Sequence, residues 1–165
     1  MIALVAALVV APWTHPLAFR AHAGWQTGAS GTTRSAYAAP GPRAHVPLES
    51  TAWTARGVRY RDGATADPPN RTLRHLPARA VIVWAVIYAP AKAGQAPLRL
   101  ALGKARRHDC CEGAFVRGGE YELTGSGPRG AYSAIVRIYF GSRPTRAARL
   151  QAQRALDRLP LPPPR

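Results

Sequence analysis

The chain has 165 residues, with 23 lysines and arginines against 8 aspartates and glutamates, a formal net charge of +15. At 47% hydrophobic and 19% charged residues it is no disordered polyelectrolyte, and it is long enough for one domain with its own core. The 16 prolines and 15 glycines favour loops and short strands over long helices.

All the cations except Lys92 and Lys104 are arginines. Such a surface attracts polyanions: anionic lipid headgroups, acidic envelope polymers or nucleic acid. The arginines are scattered singly, without the run of like charges that marks a nucleic-acid arm, which argues against nucleic acid. The same bias also follows from a GC-rich coding sequence, because Arg, Ala, Gly and Pro rise together in it.

In chain order, Met1–Val10 is an unbroken apolar run ended by Ala11 and Pro12. It falls short of the ~20 apolar residues a spanning helix needs and matches the hydrophobic region of a secretory signal peptide. Ala21-His22-Ala23 supplies the small-x-small cleavage pattern, so residues 1–23 read as a signal peptide cut after Ala23. The positive charge ahead of the run is only the α-amino group, which keeps an uncleaved anchor open. A buried first strand is the other alternative, with Pro12 and Pro16 against it.

Residues 24–47, rich in Gly, Ser, Thr, Ala and Pro, read as a flexible leader with room for one short strand. The folded domain is expected over 48–159. Ser50–Arg61 alternates in part, and its phase slips at Gly57, which suggests a bulge. Asp62–Asn70 is dense in turn residues, and Arg71–Pro77 has room for one helical turn capped by Asn70. Ala80–Tyr88 is β-branched and aromatic throughout, the pattern of a central strand covered on both faces.

Pro97–Lys104 alternates Leu98, Leu100 and Leu102 with polar or small residues, so a half-buried strand is expected. Gly113–Gly125 reads as one or two strands broken at Gly118-Gly119, followed by a turn at Ser126–Gly130. Ala131–Gly141 points Tyr132, Ala134, Val136, Ile138 and Phe140 inward, with Arg137 and Tyr139 outward. Beyond a cap at Ser142 or Thr145 and a first-turn Pro144, helical spacing aligns Ala148, Ala152, Ala155, Leu156 and Leu159 on one stripe. Residues 160–165 form a Pro-rich tail. The fold class is mainly β, an antiparallel sheet or small sandwich with one C-terminal helix, with α+β as the alternative.

Chemistry-bearing residues concentrate in Arg106–Phe115, where Cys110 and Cys111 are adjacent beside His108, Asp109 and Glu112. Neighbouring Cα atoms lie about 3.8 Å apart, below the roughly 4.4–6.8 Å of ordinary disulfides. The two thiols therefore make a poor staple, and one facing inward with one facing solvent is the natural arrangement. A metal or redox site at His108, Asp109, Cys110, Cys111 and Glu112 has the donors but lacks the Cys spacing of ordinary zinc sites. His45 and His75 are too distant in sequence to be placed.

Glu120 and Glu122 share a strand face and read as a solvated pair. Among sequence motifs there is no G-x-S-x-G, H-E-x-x-H, P-loop or G-x-G-x-x-G, so nothing names a catalytic site or a cofactor. The C-terminal stripe is mostly alanine without an aromatic anchor, which suits packing on a sheet better than lying on a membrane.

Two segments, "DPPNRTLRHLPARAVIVWAVIY" and "VRIYFGSRPTRAARLQAQRALDRLPLP", resemble small exported actinobacterial proteins of unassigned function. The shared pattern is a Pro-Pro turn, a strand, a YFG strand end and a basic terminal helix. The resemblance implies an extracytoplasmic setting and transfers no site residue.

The expectation is an exported, non-enzymatic binding module of the cell envelope. Its basic surface, Arg56, Arg59, Arg61, Arg71, Arg74, Arg99 and Arg137, would meet an anionic envelope polymer or membrane surface. One alternative is thiol- or metal-dependent activity at Cys110 and Cys111. The other is a small subunit of an envelope complex, docked through Trp53 and Tyr139.

Overall fold

The apolar run around Trp84 becomes the middle of a sheet, for the reason its composition gives: every residue from Val81 to Ile87 is buried. The structure, a computed structural model, describes residues 17–34, 48–59, 70–89, 94–108, 116–127, 132–159 and 161. The apolar run at the N-terminus and the end of the Pro-rich tail lie outside the described residues.

Six strands are described: β1 (Gln26–Arg34), β2 (Leu48–Arg56), β3 (Val81–Ala89), β4 (Arg106–His108), β5 (Glu120–Ser126) and β6 (Ser133–Phe140). They form one sheet in the order β1-β2-β3-β6-β5-β4, each pair of neighbours antiparallel. Of the two architectures expected, the single sheet is the one adopted. Among the described residues two α-helices accompany it, α1 (Asn70–Arg74) and α2 (Arg146–Leu156).

β3 is apolar on both faces and sits in the middle beside β6, which is apolar on its α2 face and carries Arg137 on the other. On one face, Val81, Val83, Ala85 and Ile87 of β3 and Ala134, Val136, Ile138 and Phe140 of β6 pack against α2 through Ala148, Ala152, Ala155 and Leu156, joined by Leu159. Alanines let the helix approach closely, and the leucines fill the margin. Thr145 caps α2, its Oγ1 accepting from the Ala148 N–H at 3.1 Å; Pro144 thus precedes the cap and lies outside the first turn. On the other face, Ile82, Trp84, Val86 and Tyr139 lie with Leu73 of α1 and Val116.

Three expectations need correction. Pro97–Lys104 is not a strand. It makes a single parallel bridge, Pro97 to Ser126, and then a 3-10 turn at Leu102–Lys104. The alternating leucines still pack on the core, but α2 holds this segment where a strand ladder would have. Gln153 accepts from the Leu102 N–H at 2.8 Å and donates to the Leu100 carbonyl at 3.0 Å. Tyr139 does not face outward: it is fully buried beneath the cover that α1 and Val116 provide. At Gly57 there is no bulge inside a strand, since β2 ends at Arg56 and Gly57, with φ +72°, turns the chain away.

The stretch read as a leader contributes β1, a nine-residue strand. Ahead of it, Leu17 and Phe19 are buried in the α2-side core, and the Leu17 N–H donates to Ser50 Oγ at 2.8 Å. Among the described residues, no helix is long and apolar enough to cross a membrane.

Candidate functional site

The antiparallel register places two rows of side chains across the sheet face opposite α2. One row runs Gly28, Trp53, Trp84, Arg137, Glu122, Arg106 from β1 to β4. The next runs Ala55, Ile82, Tyr139, Glu120, His108 from β2 to β4. Each row is apolar at its β2–β3 end and charged at its β5–β4 end. Trp53 lies flat over Gly28, where a Cβ would come within 2.6 Å of the indole.

Arg137 organises the charged half. Its Nε donates to Glu122 Oε2 at 3.3 Å and lies 3.4 Å from Glu120 Oε1, while its guanidinium stands 5.5 Å from the centre of the Trp84 ring. His108 Nδ1 is 3.5 Å from Glu120 Oε1. Glu120 is 0% exposed, so the solvated pair expected from sequence is a buried carboxylate beside a half-buried one. β4 adds outside β5 and takes β5 off the edge, and Arg137 and His108 flank the carboxylate from both neighbouring strands. A buried carboxylate is tolerable only with such partners.

His108, Glu120 and Glu122 offer ligand atoms within 4.8 Å of one another. Arg137 already supplies a positive charge to both carboxylates, so a metal ion would have to compete with it. Of the metal or redox set read from sequence, only His108 is among the described residues. Asp109, Cys110, Cys111 and Glu112 lie outside them.

Beside this cluster, the outer edge of β5 opens into a cleft of about 480 Å³, lined by Gln95, Arg99, Lys104, Arg106, Glu122 and Thr124 among others. The opening exists because β5 has two partners with a gap between them. β4 pairs with it from Glu120 to Glu122, and residues 96–98 meet it at Ser126. Residues 96–98 run close over Gly125, whose Cβ position lies 2.5 Å from Leu98 Cα. Arg99, Lys104 and Arg106 are all exposed. Among the described residues, the one carboxylate in the lining, Glu122, is already bonded by Arg137.

The structure brings one residue of the expected anion-binding set, Arg99, to this cleft. Arg56 and Arg59 lie at the end of β2 and just beyond it, Arg71 and Arg74 on α1, and Arg137 faces two carboxylates instead of open solvent. Arg61 lies outside the described residues. Sequence reasoning missed Lys104, at the end of an alternating segment, and Arg106, at the head of the cysteine-bearing stretch. Docking through Trp53 and Tyr139 loses one anchor, since Tyr139 is buried and Trp53 only half-exposed.

No protein family, no curated protein and no solved structure matches this chain.

Proposed function

We propose that the protein is a non-enzymatic binding module that works outside the cytoplasm, at the cell envelope, and holds an anionic envelope polymer by charge. The observation that carries this reading is the cleft at the β5 edge. Three exposed cations, Arg99, Lys104 and Arg106, surround a concave site whose single carboxylate among the described residues is engaged by Arg137. A formal charge of +15 adds long-range attraction for the same partner. The apolar N-terminal run supports the extracytoplasmic setting.

The test is binding of poly(glycerol phosphate) and poly-L-glutamate across a salt series. The expected result is salt-sensitive binding that Arg99→Gln/Lys104→Gln/Arg106→Gln weakens at least about tenfold, with a shallower salt slope because cation contacts carry it. The control Arg71→Gln/Arg74→Gln/Arg79→Gln removes equal charge elsewhere and should lose far less. Equal loss in both variants, or binding that survives high salt, overturns the reading. Preference for anionic vesicles over either polymer would transfer the partner to the membrane surface.

A further inference from the structure

The cleft carries more information than its charge. Ser126 turns both backbone groups toward the outer edge of β5: its N–H donates to the Ala96 carbonyl at 2.8 Å, and its carbonyl accepts from the Leu98 N–H at 2.9 Å. Strand geometry repeats every two residues, so Thr124 turns its N–H and carbonyl the same way. The β4–β5 register, Arg106 opposite Glu122, would place Lys104 opposite Thr124. Lys104 does not take that position. Its N–H donates back to the Ala101 carbonyl at 2.8 Å, within the 3-10 turn. In that register the Lys104 N–H would meet the Thr124 carbonyl; with it turned away and β4 ending at Arg106, the Thr124 carbonyl and N–H both lack a β4 partner and both face the cleft, between the cationic side chains of Lys104, Arg106 and Arg99.

This donor set suits a phosphoryl group better than a carboxylate. Two guanidinium forks, an ammonium, a backbone N–H and the exposed Thr124 hydroxyl exceed what two carboxylate oxygens can accept. A phosphoryl group presents more oxygens, and guanidinium forks match it bidentately. A bare phosphate would not fill the site. A water occupies about 30 Å³ of liquid, so an oxyanion of five heavy atoms leaves most of the 480 Å³ empty. The phosphoryl group should carry an organic substituent.

Two side-chain acceptors beside the cleft say what that substituent offers. Among the described residues no donor reaches Gln95 Oε1, which is buried behind the lining, a costly state that a ligand hydroxyl would relieve once the amide rotates into the opening. Glu122 is held at the inner wall by Arg137 with acceptor capacity left, and its charge disfavours a second phosphate there. Among the described residues lining the cleft there is no aromatic ring, so a nucleobase finds no stacking platform.

We propose that the cleft is a subsite for a hydroxylated phosphoester, a polyol or sugar phosphate unit. Arg99, Lys104, Arg106 and the Thr124 N–H take the phosphoryl oxygens, and Gln95 Oε1 and Glu122 take the hydroxyls. This assignment rests on the anion-binding reading above and narrows its ligand.

Calorimetric titration of the full chain with glycerol 3-phosphate, inorganic phosphate and malate tests it. Glycerol 3-phosphate should bind about tenfold tighter than inorganic phosphate, the worth of one satisfied buried acceptor, and malate more weakly than either. Gln95→Leu should bring glycerol 3-phosphate down to the level of inorganic phosphate and leave poly-L-glutamate binding unchanged. Arg106→Gln should weaken both phosphates, and unchanged melting temperatures confirm that both variants fold.

Malate binding as tightly as glycerol 3-phosphate, or an unchanged phosphate ratio in Gln95→Leu, overturns the assignment. If polyanions bind and glycerol 3-phosphate shows no preference, this inference alone falls. If no polyanion binds, the broader reading falls. Binding of poly(glycerol phosphate) together with the monoester supports the assignment with internal polymer units as the source. Binding of the monoester and poly-L-glutamate without poly(glycerol phosphate) supports it with a free or terminal ester.

Discussion

Replacing Leu17 by alanine tests whether the chain ahead of β1 belongs to the folded domain. Leu17 and Phe19 are 2% and 6% exposed within the α2-side core. Truncations of this kind cost about 2–5 kcal/mol for Leu→Ala and about 3–5 for Phe→Ala, the lost transfer energy plus the cavity left behind. For a domain of this size each kcal/mol lowers the melting temperature by about 2–4 °C, so Leu17→Ala should melt roughly 4–20 °C lower. Ser50→Ala should cost a further, separable amount of about 1–3 kcal/mol, because Ser50 is fully buried and the Leu17 N–H would lose its acceptor.

The assay is urea unfolding with thermal melts alongside. If Leu17→Ala and Phe19→Ala each change stability by no more than about 0.5 kcal/mol, the range of an exposed site, the two side chains do not seat in the core. The result bears on the cleavage expected after Ala23. A chain beginning at Gly24 lacks both side chains and should melt below the full chain. Its truncation also returns about 1–2 kcal/mol of backbone entropy per released residue, so the point variants carry the magnitude.

Arg137→Met should cost about 3–5 kcal/mol in urea unfolding, because it takes a cation from the fully buried Glu120. Adding Glu120→Gln should recover most of that, and no recovery would show that the carboxylate is not the reason. Thr145→Ala should cost about 1 kcal/mol by removing the α2 cap, while Ser142→Ala should stay within about 0.5; the reverse order would move the cap. Burial raises the Tyr132 hydroxyl above its ordinary 10.0. The folded state therefore keeps a proton that the unfolded chain gives up near that pH, so this group's contribution to stability is level below pH 10 and falls as pH rises above it. Urea midpoints through the alkaline range should show Tyr132→Phe flattening this loss, and an unchanged alkaline limb would assign it to another group.

Much of the sheet was readable because its patterns are local. β3 is apolar at every position, β6 alternates, and the alanine stripe of α2 has helical spacing; the structure buries β3, the α2-facing row of β6 and the stripe as their patterns require. Tyr139 was misread because alternation says which residues share a face and cannot say what covers that face. Pro97–Lys104 was misread because an irregular segment satisfies alternating burial as well as a strand does, once Gln153 of α2 holds its backbone.

Sequence by itself determined the strand-rich class, the central position of β3, the packed face of α2 and the excess of positive charge. Each follows from residue type and period along one stretch of chain. Tertiary structure decided that Glu120 is buried between His108 and Arg137. It also decided that Lys104 and Arg106 join Arg99 around an open strand edge. Both depend on β4 pairing outside β5 and stopping short of Lys104, and strand order and register join residues that no local period connects.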